Sequence, residues 1–549
     1  MDANKRFEVL VQETFQEMVD RDPSLATHLG IHNKDQLLND ASARKVKEDF
    51  LWFSKRIGQF NALPKSELNE EFKLDLELLN HFYGLEKFWH EDAPYWHRNP
   101  DALHSIGSLL FLQLSREYAP LQKRISDIAK RLAAVPRYLK EFKTRITHPV
   151  ELWTQIAIES AQRTPEFFDH IVAAAKGRVS ETLFKDLKTS VRLADDACKE
   201  FEKWLKTLLK GAKDDWALGP KRFERLVALR ELGRSVEEIY DLGEKSLKEL
   251  KEQRKELARK IYPGMSVDEV TRTIKGHHPK TFKEALGVYQ MVMRESRDFI
   301  SKHKIATIPT GEELLVVETP SFMRPLVPFA AYFSPAKFDP VQTGIYIVSP
   351  SERGTHMMLE HNYPSIHNTT VHEGYPGHHL QLTCANLHAP LARFLGFFCD
   401  TATEMVEGWA HYCEEMMKEY GFYDSPQSRY IMINDGIWRA VRILVDIRLS
   451  QGKMGFQKAV DTLRRETGME KVGALAEVKR YTQSPAYQLS YLLGKNLFFE
   501  LKKDVKRWMG SRYTDLFFHD TILQAGSIPI SYLRRIFRRK IKAESLAVS

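Results

Sequence analysis

The feature that most constrains this chain is a helix-breaking pair set inside a run of ligand-forming residues: Thr370-Val371-His372-Glu373-Gly374-Tyr375-Pro376-Gly377-His378-His379-Leu380-Gln381. Three imidazoles and a carboxylate fall between positions 372 and 379. A His-Glu pair followed by another His is how a helix presents zinc. Two neutral imidazoles take the metal, and the Glu takes a proton from a water that the metal polarises. In the usual spacing the second His follows the first by four residues and lies roughly 40° around the helix. Pro376 occupies that place here. In an unbroken helix His378 would sit about 240° around from His372, and His379, back on the same face, about 10 Å up the axis. Pro removes a backbone donor and clashes with the preceding turn, while Gly tolerates positive φ. The expectation is therefore a kink or bulge at 376–377 that carries His378 to the second-ligand position. His379 is then expected to support the ligands from behind or to face substrate.

The bland alternative is a pair of hydrogen-bonded histidines near a helix end. Clustering weighs against it, because six of the twenty histidines (His356, His361, His367, His372, His378, His379) lie between 356 and 379. An acidic helix, expected over 401–419, follows soon after. In it Glu404, Glu407, His411 and Glu414 recur at steps of three, four and three and share one face. A solvated stripe would look the same, but the surroundings are apolar: Phe394 to Phe398 ahead of it, and Trp409, Tyr412, Met416 and Met417 within it. Glu407 is the expected third metal ligand. Glu414, one heptad on, is expected to orient a ligand His, and Glu404 to stand behind the site or meet substrate.

Length places these motifs in a larger frame. A chain of 549 residues exceeds one typical core and suggests two domains or one two-lobed unit. Residues 1 to about 303 read as successive helices, with capping boxes at Ser235–Glu238 and Ser266–Glu269 and a stop at Pro263-Gly264. The charged segment Gly233 to Tyr262 reads as one long surface helix, since its apolar heptads are not sustained. Between about 305 and 350 the texture turns β-branched and is bounded by Pro, Ser and Thr. Glu313–Glu318, Phe329–Phe333 and Gly344–Val348 predict a small sheet of two to four strands within 312–349. Its edge is read equally as a peptide-pairing strand or a plain hairpin. The metal helices are expected within 368–420 and the C-terminal helices within 427–543. Ser425-Pro426 and Ser484-Pro485 are read as helix starts, and Arg442 and Asp446 as an i, i+4 pair.

Charge and cysteines narrow the function classes. Lys and Arg exceed Asp and Glu by 81 − 73 = +8, a mild excess concentrated in Arg534, Arg535, Arg538, Arg539, Lys540 and Lys542. An amphipathic terminal helix with Leu533, Ile536, Phe537 and Ile541 inward explains this more simply than nucleic-acid binding, for which no recognition motif is present. The cysteines Cys198, Cys384, Cys399 and Cys413 lack paired spacing, so neither a thiolate zinc site nor a disulfide framework is indicated. No stretch approaches the length needed to cross a bilayer and the N-terminus lacks the pattern of a secretory leader. The expected setting is cytoplasmic, without membrane or nucleic-acid partners; the oligomeric state is left open.

The blocks HEGYPGHHLQ and EGWAHYCE, with RYTQSPAYQLSYLLG, resemble the domain of unknown function 885 family, which is grouped with the gluzincin-type zinc metallopeptidases. Further similarity runs from DRDPSLATHLGIH through VVETPSFMRP to FFHDTILQAGSIPISYLRRIF. The resemblance implies a mainly α, two-lobed, zincin-like metallopeptidase. A helical lobe, 1–304, would wall the cleft, and a catalytic lobe, 305–549, would hold the metal. By this reading Zn2+ is held by His372, His378 and Glu407, and Glu373 is the base in amide hydrolysis of short peptides. An oxyanion donor is still required: Tyr491 is the first candidate, with Arg480 and Tyr481 next. Two other classes stay open, a di-iron carboxylate oxidoreductase and a non-catalytic peptide-binding protein with a structural metal.

Overall fold

Helix caps explain much of the architecture. From Ala3 to Lys302 helix follows helix, and Asp2, Asp22, Ser42, Asn69, Asp101, Ser180 and Thr281 each accept a hydrogen bond from a first-turn amide. Both capping boxes form, at Ser235/Glu238 and Ser266/Glu269. The long charged segment is one helix, Val236–Ile261, burying little beyond Ile239, Gly243 and Ala258. The computed structural model describes residues 2–319, 327, 330–350, 355–396 and 402–548, the side chains of 355–357 and 544–548 excepted. Within these residues the chain has twenty-one α-helices and one three-stranded sheet. It is mainly α, as expected.

The sheet is small but central to the site. Its strands are β1 (Glu312–Glu318), β2 (Ala330–Phe333) and β3 (Gln342–Val348), in the order β1-β3-β2. β3 pairs parallel with β1 and antiparallel with β2, setting Tyr346 opposite both Val316 and Tyr332. Alternation sends successive side chains of β3 to opposite faces. Tyr346 and Val348 join the core around the two histidine-bearing helices, whereas Ile345 and Ile347 join the core of helices 102–208. The sheet is thus a partition between two cores. The carbonyl of Val316 accepts the Gln290 side-chain amide at 3.0 Å, so part of β1 is already engaged beyond the sheet. Phe329, expected at the start of the second strand, lies outside the described residues.

Other hydrophobic cores are shared along the chain. Val150 and Trp153 pack with Ile437, Val441, Val478 and Tyr481, far away in sequence. The C-terminal helix Ile530–Val548 buries Leu533, Ile536 and Phe537. Its basic face pairs internally, Arg534 with Asp504 and Arg535 with Glu77. No helix among the described residues is long and apolar enough to cross a membrane. Cys198, Cys384 and Cys413 are buried free thiols; Cys399 lies outside the described residues.

Two local expectations are corrected. Ser484-Pro485 does not open an α-helix: Ser484 closes the helix Lys471–Gln483, Ala486 turns back at φ 67°, and the next α-helix starts at Ser490. Arg442 and Asp446 do not pair. Asp446 caps that turn, accepting the amides of Ala486 at 3.2 Å and Gln488 at 3.1 Å, and Arg442 turns to Glu477 at 2.9 Å. The unpaired amides of the turn compete for the buried carboxylate and win it.

Candidate metal centre

The break at Pro376 is more complete than a kink. One helix, Tyr363–Glu373, ends at Glu373, and a second, His378–His388, begins at His378. Gly374, Tyr375, Pro376 and Gly377 form the connection, with a cis Tyr375–Pro376 bond. Gly377 has φ −67°, so it is not chosen for positive φ. A Cβ there would run into the carbonyl oxygens of Val371 and His372. Glycine is needed because the chain doubles back against the end of the first helix. This fold-back brings the two rings together, 4.7 Å between centroids and nearly perpendicular.

The third group comes from the acidic helix, Thr403–Glu419; Thr401 lies outside the described residues. His372 Nε2 and His378 Nε2 stand 3.6 and 3.5 Å from Glu407 Oε2. Donors about 2.0–2.2 Å from a tetrahedral ion lie roughly 3.3–3.5 Å apart. All three donor atoms lie within 4.8 Å of one another, so the set fits a metal ion. Among the described residues it is the one group of this kind. The charge environment agrees. Burial works against protonating His372, yet hydrogen bonds with Glu407 and Glu414 push its pKa up to about 10. Glu407, despite burial, is held well below the usual carboxylate range by the two histidines. Positive charge is stabilised here.

The carboxylates of the stripe have separate partners, and all are buried. Glu407 presents Oε2 to the histidines and receives the Tyr487 hydroxyl on Oε1 at 2.6 Å. Glu414 accepts from His372 Nδ1 at 2.7 Å on one oxygen and from His411 Nδ1 at 3.3 Å on the other. Glu404 faces elsewhere: it pairs at 2.8 Å with buried Arg230, which also bonds Thr403 and Ser490. Its place is structural, tying the helix Pro220–Leu229 to the acidic helix. Since Glu414 fixes the ring of His372, Glu414→Gln is expected to weaken metal affinity by roughly 10–100-fold. Competition against a colorimetric chelator measures this, and unchanged affinity would contradict the role.

Glu373 is half-buried at the end of the first ligand helix. After burial, its charge is among the influences raising the pKa values of Tyr289, Tyr332 and Tyr346. His379 points away from the metal donors. It is fully buried, with Nε2 2.7 Å from Glu312 Oε2 and Nδ1 2.9 Å from the Tyr332 hydroxyl. Glu312 also accepts from Tyr375 at 2.5 Å and pairs with Arg297 at 2.9 Å. Burial would raise the pKa of this carboxyl, but His379 and Tyr375 hold it down. With Glu312 ionised, His379 donates from Nε2 and its Nδ1 accepts a hydrogen bond from the Tyr332 hydroxyl. Tyr332 in turn stacks at 6.4 Å on His378. Gly344 is needed beside this pair, because a Cβ would strike His379 and Tyr332.

The tyrosines arrive on the helix Ser490–Met509 and the short turn Tyr487–Leu489 before it. That helix crosses the acidic helix where Gly408 meets Gly494; a Cβ on either would strike the other's backbone. Close approach brings Tyr491 beside Glu407, whose charge adds to burial in raising the Tyr491 pKa. Tyr481 and Arg480 are one layer further out. Both bind Glu477, Tyr481 at 2.7 Å and Arg480 at 3.1 Å, and neither touches a metal donor. Of the other clustered histidines, His361 bonds the Ser349 carbonyl and His367 stacks on Tyr423, while the His356 side chain lies outside the described residues. A cavity of about 250 Å³ adjoins the centre, lined by Leu382, Ala385, Phe394, Val406 and Tyr487 among others. Leu382 and Ala385 continue the helix face that starts at His378.

Sequence reasoning missed Tyr487 as the partner of Glu407, and it missed Glu312, Tyr332 and Arg230. No local pattern marks these residues. Each is joined to its partner across more than forty positions. The pair Gly408 and Gly494, both inside quoted motifs, was the available signal, since two mid-helix glycines point to a close helix crossing.

No curated protein matches the sequence. Among solved structures, a "putative lipoprotein of unknown function" from Shewanella oneidensis is 19% identical with a TM-score of 0.77, over 97% of this chain and 99% of that one. A "putative lipoprotein" from Colwellia psychrerythraea is 18% identical with a TM-score of 0.84, over 99% and 100%. At these identities the likeness is one of fold. The family model described as "Bacterial protein of unknown function (DUF885)" matches residues 23–536, and the chain therefore belongs to that family.

Proposed function

We propose that the protein is a zinc-dependent hydrolase of peptide bonds acting on short peptides. The observation that carries this is the convergence of His372, His378 and Glu407 donor atoms with an acid, Glu373, adjacent in sequence to the first ligand. A purely structural metal does not call for such a base. Two imidazoles and one carboxylate leave a fourth position open, as catalytic zinc sites do. When bound there, the metal supplies a Lewis acid that polarises the substrate carbonyl and makes a water easier to deprotonate.

The remaining work falls to the chain. His372, His378 and Glu407 hold the ion, Glu414 fixes the His372 ring, and Tyr487 fixes Glu407. Glu373 takes the proton of the attacking water and hands it to the departing amine. Tyr491, beside Glu407 and backed by Arg442 at 4.5 Å from its ring, donates to the oxyanion. The di-iron alternative needs a second set of ligands, and none accompanies the triad among the described residues. Buried unpaired thiols are compatible with a reducing, cytoplasmic setting.

A mixed short-peptide library, incubated with the purified protein and read by mass spectrometry, tests the reading. Cleavage is expected, stopped by chelation and restored by zinc. Bound zinc without any cleavage would instead favour a peptide-binding protein.

A further inference from the structure

We infer that the site selects peptides by their free C-terminal carboxylate, which binds Arg480 within the cluster Arg442–Arg480–Glu477, making the protein an exopeptidase that trims one or two residues. This rests on the hydrolase reading for the cleavage, and on the cluster itself for the carboxylate.

The first observation is a local imbalance of charge. Glu477 accepts from Arg442 at 2.9 Å, Arg480 at 3.1 Å and the Tyr481 hydroxyl at 2.7 Å. Two guanidiniums therefore share one carboxylate, a surplus of one positive charge. Arg439 stands on the same side, 5.9 Å from the Tyr491 ring centroid, with its Nε buried and unpartnered and its carboxylate neighbours Glu414 and Asp435 both 3.9 Å away. A second carboxylate would complete this group.

The second observation is position. Arg442 Cζ lies 4.5 Å from the Tyr491 ring and Arg480 Cζ 5.8 Å from the Tyr487 ring. The hydroxyl of Tyr487 is bonded to the metal ligand Glu407. One tyrosine side chain thus separates the guanidiniums from the metal centre. A short extended stretch of substrate, at roughly 3.3–3.6 Å per residue, would run between the two.

The third is access. The Arg480 side chain is 41% exposed and that of Arg442 only 5%. Among the described residues Arg480 uses Nη2 for Glu477, leaving the outward Nη1 donors for a charge-assisted hydrogen bond to a carboxylate. Arg442 backs it from inside.

The test compares an N-acetylated tripeptide with its C-terminal carboxamide. Wild type is expected to cleave the acid at least tenfold more efficiently, mainly through KM. Arg480→Gln should remove that preference, and Arg480→Lys should recover part of it. Calorimetric binding of the same two peptides to Glu373→Gln should show the same preference without turnover. Equal binding of acid and amide, or a preference that survives Arg480→Gln, would overturn the inference. If wild type cleaves neither peptide the hydrolase reading fails, and the binding comparison still decides the carboxylate site.

Discussion

Glu373→Gln is expected to keep its full metal content and lose activity by about 10²–10⁴-fold, the usual contribution of a positioned general base. The substitution keeps size and shape but removes the ability to accept a proton. Glu373 is not among the converging donors, so the ion should stay. It is half-buried at a helix end, and Gln fills the same volume. Peptide hydrolysis and metal analysis on the same preparation check both halves. Full activity would remove Glu373 as the base, and loss of metal would make it a ligand or a support of one.

The second large effect is at His378. Its removal leaves one imidazole and one carboxylate, too few to hold zinc against dilution. His379, its neighbour, is tied instead to Glu312 and Tyr332. Truncating it would take one of three partners from the buried Glu312, leaving Tyr375 and Arg297, and a lost hydrogen bond to a charged group typically costs about 1.5–3 kcal/mol. His379→Gln keeps a donor for Glu312 and is the fairer comparison.

How the sequence encodes this centre differs between its parts. His372 and His378 were legible as a converging pair because Pro376 makes only one broken geometry workable, and Glu407 because an acidic stripe in an apolar helix needs a partner. The reason for Gly377 was not, since close approach of a chain to its own helix end leaves no mark in composition. Tyr487 was hidden by the Ser484-Pro485 signal. Propensity there reads as a helix start, but Asp446 claims the turn's amides and delays the helix to Ser490. Glu312 could not be found at all, because strand pairing, not local pattern, delivers it to His379.

Fold class followed the same rule. Caps and periodicity are local and made the helices from Ala3 to Lys302 readable, including both capping boxes. The sheet was readable as strands but not as a partition, because the sides to which Tyr346 and Ile347 turn depend on which helices cover each face. The helix crossing at Gly408 and Gly494 is likewise a tertiary fact.

The most direct test of the broken-helix centre is the metal content of purified wild type, His378→Ala and His379→Gln by elemental analysis. About one zinc ion per chain is expected in wild type and in His379→Gln, and none in His378→Ala. Metal retained in His378→Ala, or lost from a folded His379→Gln, would contradict the assignment of His372, His378 and Glu407 as the ligands.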